Sequence, residues 1–234
     1  QGLKEAAKVA LAGRGFLDDV PYSMHVGTEG RTEGAVADSL AEVRRIVAAH
    51  GGREVENTIP KVMRGMRFVT MTSAIGPAGE RWLPVHALVR LSDAAETWSA
   101  VQALFASRQA QFLAHGVKVG VLTAIVGSNA FVLEPVFYWP APRTLYYERV
   151  LDDATLAKFT DFPANPAGEA LVLEARSRLT ELFLKRGHER VTRFHTRRYR
   201  EGLRPEAWQL LEAIKRSVDP RGLVNPGSLG LQQD

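Results

Sequence analysis

The sequence predicts an α+β fold: a mostly antiparallel sheet with helices packed on one face. Three observations carry this. Strand-like and helix-like periods alternate along the 234 residues, which are enough to bury a sizeable core. Two β-branched and aromatic arms in "VKVGVLTAIVGSNAFVLEPVFYW" meet at "GSNA", which reads as a hairpin and forces antiparallel pairing. Helices of amphipathic spacing separate the other strands, each with one apolar stripe to bury.

The elements follow in order. "LKEAAKVALA" over residues 3–12 is helical and ends at Gly13. "YSMHVGTEG", from Tyr22, has strand character. Residues 35–49 form an amphipathic helix with Leu40, Val43, Ile46 and Val47 on one face, stopped by Gly51-Gly52. "REVENTI" reads as a second strand before Pro60. The stretch from Lys61 to Glu80 has no clear period and closes in the turn-rich "IGPAGE". "RWLPVHALVRLSD" is a strand with a proline near its start. Ser92 or Asp93 caps the next helix, expected to run to His115, with Trp98, Val101, Leu104, Phe105 and Phe112 on its apolar side. After the hairpin, a Pro-rich excursion at 140–168 holds one short helix near Asp153. A helix from Glu169 to Lys185, the strand "RVTRFHT" and the helix "RPEAWQLLEAIKRSV" complete the chain. This order resembles split β-α-β, ferredoxin-like units, two in tandem.

Composition narrows the function. No cysteine is present, which removes disulfides, thiolate nucleophiles and cysteine-held metals. No apolar run reaches the roughly 20 residues of a membrane helix, and no signal peptide is visible, so a soluble, cytoplasmic location is expected, with a periplasmic one open. Net charge is +4, and six arginines fall between Arg190 and Arg204. Such a patch suits an anionic substrate, nucleic acid or an acidic partner. No GxGxxG follows a strand and no GxxxxGK[ST] occurs. His25, His50, His86, His115, His188 and His195 are scattered without metal-ligand spacing.

The closing stretch "AIKRSVDPRGLVNPGSLGL" carries a more specific signal. An apolar residue (Val218), Asp219-Pro220, two variable residues, two apolar residues (Leu223, Val224) and Asn225-Pro226-Gly227 follow the last helix. This pattern resembles the C-terminal signature of FAD-linked oxidases of the vanillyl-alcohol oxidase and 4-cresol dehydrogenase type. "RFHTRRY" lies where that family has an Arg-bearing strand, and the two strand regions upstream resemble its cap-domain strands. Pro220 and Gly222 are expected to turn the chain, Ile214 and Val218 to anchor the helix on the sheet, and Leu223 and Val224 to return to the core.

The resemblance implies a cap, or substrate, domain over residues 21–234, with 1–20 the end of a linker from a missing FAD-binding domain. The cap would cover the flavin where a hydride leaves a small phenolic or hydroxy-acid substrate, the FAD being held mainly by the other domain. Arg193 would stabilise a substrate oxyanion, since a guanidinium stays charged. His195, on the same strand face, would act as a substrate contact or acid/base. His86, Glu134 and Tyr138 are the expected substrate-binding residues, and Asn225 and Gly227 lie beside the cofactor. Thr192 stands where phenol-oxidising relatives have Tyr, which counts against a phenol. Gly79 and Glu80 fall where some relatives carry the His or Tyr that bonds FAD covalently, so non-covalent FAD is expected. The hairpin "VGSNAFV" lacks the Asp and His of the metal-binding lactate and glycolate branch, so no metal is expected. The implied partners are the FAD-binding domain, an electron acceptor such as a cytochrome, and a second copy in a homo-oligomer; neither membrane nor nucleic acid is among them. The alternative is a stand-alone ferredoxin-like module binding a ligand or nucleic acid.

Overall fold

The computed structural model describes residues 20–55, 68, 71–186, 190–191 and 199–231. The chain divides into two compact units, residues 1–70 and 71–234.

In the first unit, helix α1 (Glu33–Ala49) begins where Thr32 Oγ1 accepts the Ala35 N–H at 3.2 Å. Leu40, Val43 and Val47 are half-buried, whereas Ile46 is exposed. The strand expected from Tyr22 does not form: residues 22–30 hold no strand, and Tyr22 and Met24 stand exposed. A β-favouring composition makes a strand only when a neighbour takes up its backbone groups. Residues 53–55 form no strand either; the rest of "REVENTI" and the helix expected over 3–12 lie outside the described residues.

The second unit holds the sheet. Strands β1 (Arg81–Pro84) and β2 (Ala87–Arg90) pair antiparallel with β4 (Ala130–Trp139) in one unbroken register, Arg81 opposite Trp139 and Arg90 opposite Ala130. They are one strand interrupted at Val85-His86. Val85 donates to the Pro135 carbonyl at 2.8 Å, but Pro135 has no N–H to return. Pro84 sits opposite Val136, where its nitrogen faces away from β4 and no ladder bond is lost. On the other side of β4, strand β3 (Lys118–Val126) pairs along its whole length. Residues 127–129 make the hairpin turn, with Gly127 at φ 64°. Strand β5 (Arg190–Val191) pairs with β2, so the order across the sheet is β5, β2, β4, β3, all neighbours antiparallel.

Helices α2 (Ala94–Ala106) and α3 (Gln109–Ala114) connect β2 to β3, and α6 (Pro166–Lys185) connects β4 to β5. Each connection passes over one intervening strand, giving two interlocked split β-α-β units. The described residues thus hold one such β-α-β-β-α-β set instead of two in tandem. The single helix expected to run to His115 breaks at Ser107-Arg108. The Ser107 hydroxyl bonds back to the Leu104 carbonyl at 2.7 Å, and Arg108 turns to a bidentate pair with Glu174. Asp93 stands at the α2 N-cap, but its carboxylate accepts from the Ser92 hydroxyl instead of capping the helix. The excursion carries two short helices, α4 (Leu145–Val150) and α5 (Asp153–Leu156), where one was expected. Asn165 caps α6, and Pro166 opens it without losing a bond.

Alternation along β4 sorts the two faces. Leu133, Pro135, Phe137 and Trp139 are buried, in register with Val85, Ala87 and Val89. Against them pack Val101 of α2, Phe112 of α3, and Leu171, Val172, Ala175, Leu179 and Phe183 of α6. Phe137 meets Phe105 and Phe112 edge-on at 5.9 and 6.1 Å. Trp98, Leu104 and Phe105 complete the helix stripe as expected. Among the described residues no helix is long and apolar enough to cross a membrane.

Phe137 has no exposure and stands where strand, α2 and α3 meet. Phe137→Ala should lower unfolding free energy by about 3–5 kcal/mol in urea denaturation. A loss below about 1 kcal/mol would show that this cluster is not the centre of the core.

Candidate functional site

The even-numbered residues of β4 face away from the helices. Glu134 and Tyr138 lie on this face, roughly 13 Å apart along the strand. His86 stands directly across the ladder from Glu134, between the Pro84–Val136 and Ala87–Leu133 pairs. Its Nδ1 lies 3.4 Å from Glu134 Oε2, within ion-pairing reach of a protonated imidazole. The geometry misses a hydrogen bond, so this buried Nδ1 has no hydrogen-bond partner. Tyr138 is flanked by Trp82 and Lys118. The three expected substrate-binding residues are therefore brought onto one sheet face.

Between Glu134 and Tyr138 the floor is Val136, with Gly120 opposite it on β3. A Cβ at Gly120 would meet no atom within 4 Å, so there is room above the glycine, whereas Val136 is buried at 6% exposure. The face thus carries a His–Glu pair toward one end and a phenol toward the other, with room above Gly120 between them. Such a surface can receive a flat organic molecule and bond its polar end.

At the tyrosine end, Glu80 is 5% exposed and bonded to Lys118 Nζ at 2.9 Å and to the Ala78 N–H at 2.8 Å. Burial pushes its carboxyl up, but Lys118 and the backbone donors outweigh burial and hold it below the usual range. Gly79 has φ 108°, and a Cβ there would lie 2.4 Å from the Thr160 carbonyl oxygen. Both residues are therefore committed to closing the 76–80 loop. Glu80 was not singled out in the sequence as a buried charge, because Lys118, its partner, is 38 positions away.

Arg193 and His195 lie outside the described residues; β5 ends at Val191, opposite Ala87 and beside His86. Asn225 and Gly227 stand in the tail after α7 (Pro205–Val218), both with left-handed backbone, φ 47° and 75°. They do not approach the His86–Glu134 pair through any hydrogen bond seen. What shapes the tail is a knot that the motif only hinted at. The Asp219 carboxylate accepts from the Leu223 and Val224 N–H groups at 2.9 and 3.0 Å and from Lys215 Nζ. Lys215 also donates to the Val224 carbonyl at 2.6 Å. Lys215 first, then the Val224 N–H, hold the Asp219 carboxyl below its usual range against the effect of burial. The i,i+4 spacing of Lys215 and Asp219 was the readable signal.

Two expectations about the tail fail. Ile214 and Val218 do not anchor the helix; Val218 is 75% exposed. Leu223 and Val224 do not return to the core but face outward. Trp208 is the buried anchor of α7, with the Arg200 guanidinium 5.4 Å above its ring. The knot uses the backbone of Leu223 and Val224, and their side chains are left pointing away from it.

An α+β domain with a polar strip on its free sheet face and a knotted C-terminal turn is thus the class defined here. Residues 193–229 match the family model of FAD linked oxidases, C-terminal domain. No curated protein and no solved structure matches the chain significantly. The match takes in the knot, Asn225 and Gly227, and also Arg193 and His195.

Asp219 and Glu80 are both depressed in the folded state, so folding favours their ionised forms. Their stabilisation is complete above the unfolded carboxyl range of about 4 and is lost as pH falls through the lower folded values. The urea midpoint should therefore fall as the pH is lowered below about 4, and Asp219→Asn should flatten that fall. An unchanged acid limb in Asp219→Asn would show that the knot contributes nothing to stability.

Proposed function

We propose that this chain is the cap, or substrate, domain of an FAD-dependent oxidoreductase of the vanillyl-alcohol oxidase and 4-cresol dehydrogenase type. It covers the flavin and shapes the site where a hydride leaves a small phenolic or hydroxy-acid substrate. The match over residues 193–229 carries this reading. The sheet face supports it: the room above Gly120, beside a buried imidazole nitrogen lacking a hydrogen bond, suits part of a planar ring or its substrate.

In this reading the flavin supplies the hydride acceptor, and the chain's residues bind, orient and charge-match the substrate. His86, Glu134 and Tyr138 bind the substrate from the sheet face. Arg193 offsets the negative charge of a phenolate or carboxylate, and His195 takes or holds the proton of the reacting hydroxyl. Asn225 and Gly227, in the tail after α7, lie beside the cofactor. Gly79 and Glu80 have no free nucleophile, which supports non-covalent FAD.

An FAD-binding domain is the partner this reading requires. Leu210, Ile214 and Val218 repeat at every fourth position on the exposed side of α7, and Leu223 and Val224 extend the stripe. A contiguous apolar stripe of this kind marks an interaction surface.

The test is turnover by the polypeptide that joins this chain to its FAD-binding domain. Arg193→Ala should lower turnover at least about tenfold while the bound flavin spectrum is retained. Near-normal turnover would reject the role of Arg193, and a joined polypeptide that takes up no flavin would sink the whole reading.

A further inference from the structure

A cavity of about 280 Å³ lies at the other end of the sheet, between β1, the excursion and the start of α6. This equals the volume of about nine waters. Its apolar walls come from Leu83, Trp139, Leu156, Phe159 and Leu173. Two guanidiniums, Arg81 and Arg143, also line it.

The two arginines are used differently. Arg143 Nη2 donates to the Leu156 and Phe159 carbonyls at 3.2 and 3.1 Å, closing the end of α5. Arg81 Nε donates to the Pro142 carbonyl at 2.9 Å, which holds the guanidinium across the gap between β1 and the excursion. Its two Nη groups have no partner among the described residues. The adjacent Glu80 is taken by Lys118 and Ala78. Glu169 also lines the cavity but is exposed and makes no ion pair with Arg81. Trp139, directly across the ladder from Arg81, is 5% exposed, and its buried indole N–H has no acceptor. Tyr147 spends its hydroxyl proton on the Ala74 carbonyl at 3.0 Å, leaving oxygen lone pairs but no donor.

A half-buried guanidinium fixed through Nε, with its Nη donors free, is set to grip a planar two-oxygen acceptor. The apolar walls ask for a hydrocarbon body behind that acceptor. We infer that this cavity binds a small organic carboxylate with an aromatic or branched apolar body, its carboxylate on Arg81 and its body against Trp139, Phe159 and Leu173. The site is separate from the His86–Glu134 face and does not depend on the flavin reading.

The probe is phenylacetate, titrated into the 234-residue chain and followed by amide and indole ¹⁵N–¹H spectra. The Trp139 indole signal is assigned with Trp139→Phe. Saturable shifts should appear at Trp139 and around Arg81, and Arg81→Met should weaken binding about tenfold or more. Leu173→Trp, which enlarges the α6 wall of the cavity and leaves Arg81 in the sequence, should abolish binding in a chain whose spectrum remains dispersed. Phenylacetamide and inorganic phosphate should bind much more weakly than phenylacetate. The inference is overturned by absence of saturable shifts, by equal binding of the amide or of phosphate, or by Arg81→Met and Leu173→Trp binding like the parent chain.

Discussion

The second unit depends on the pairing of β4. Its ten residues supply ladder partners to β1, β2 and β3, so three of the other four strands are hydrogen-bonded to it directly. Among the described residues only β5 reaches the sheet through another strand. Because the side-chain period of a strand is two, this one segment also decides which residues are core and which are free. A one-residue slip would put Glu134 and Tyr138 under the helices and bring Phe137 into the open.

That division of faces links packing to chemistry. The odd face is covered by α2, α3 and α6, whose aromatics meet Phe137 edge-on and fix β4 from that side. The even face therefore inherits a rigid floor, and His86 and Glu134 owe their proximity to the ladder, not to a loop. Pro135 is the local cost. It removes a ladder bond at Val85, and the interruption falls beside His86.

The C-terminal knot has a similar logic at smaller scale. One carboxylate, Asp219, gathers two backbone donors and one ammonium, and this closes the turn that Pro220 begins. With the turn closed from inside, Leu223 and Val224 are free to face outward. The outward-facing tail is then a consequence of how the knot is tied.

Much of this was legible in the chain. The hairpin, the stripe of α2 and the helix start at Pro205 follow from local rules that the chain obeys over short distances, whereas the start of α6 at Pro166 lies three residues before the Glu169 expected. The placing of His86, Glu134 and Tyr138 on alternating positions was legible too, because strand period is local. Other features were not. The stretch from Tyr22 has strand composition, but whether it pairs depends on a neighbour. The direction of Ile214, Val218, Leu223 and Val224 depends on which side of α7 meets the rest of the unit. The sequence by itself determined the β3–β4 hairpin and with it antiparallel pairing, the stripe of α2 and the closing motif, since each is set within about twenty residues. Only the tertiary structure decided that Glu80 meets Lys118, that Arg81 and Trp139 pair at the wall of one cavity with the Arg81 Nη donors unclaimed among the described residues, and that the α7 stripe looks outward. Those outcomes depend on groups brought together across the sheet, and burial there sets both their charge and what they remain free to bind.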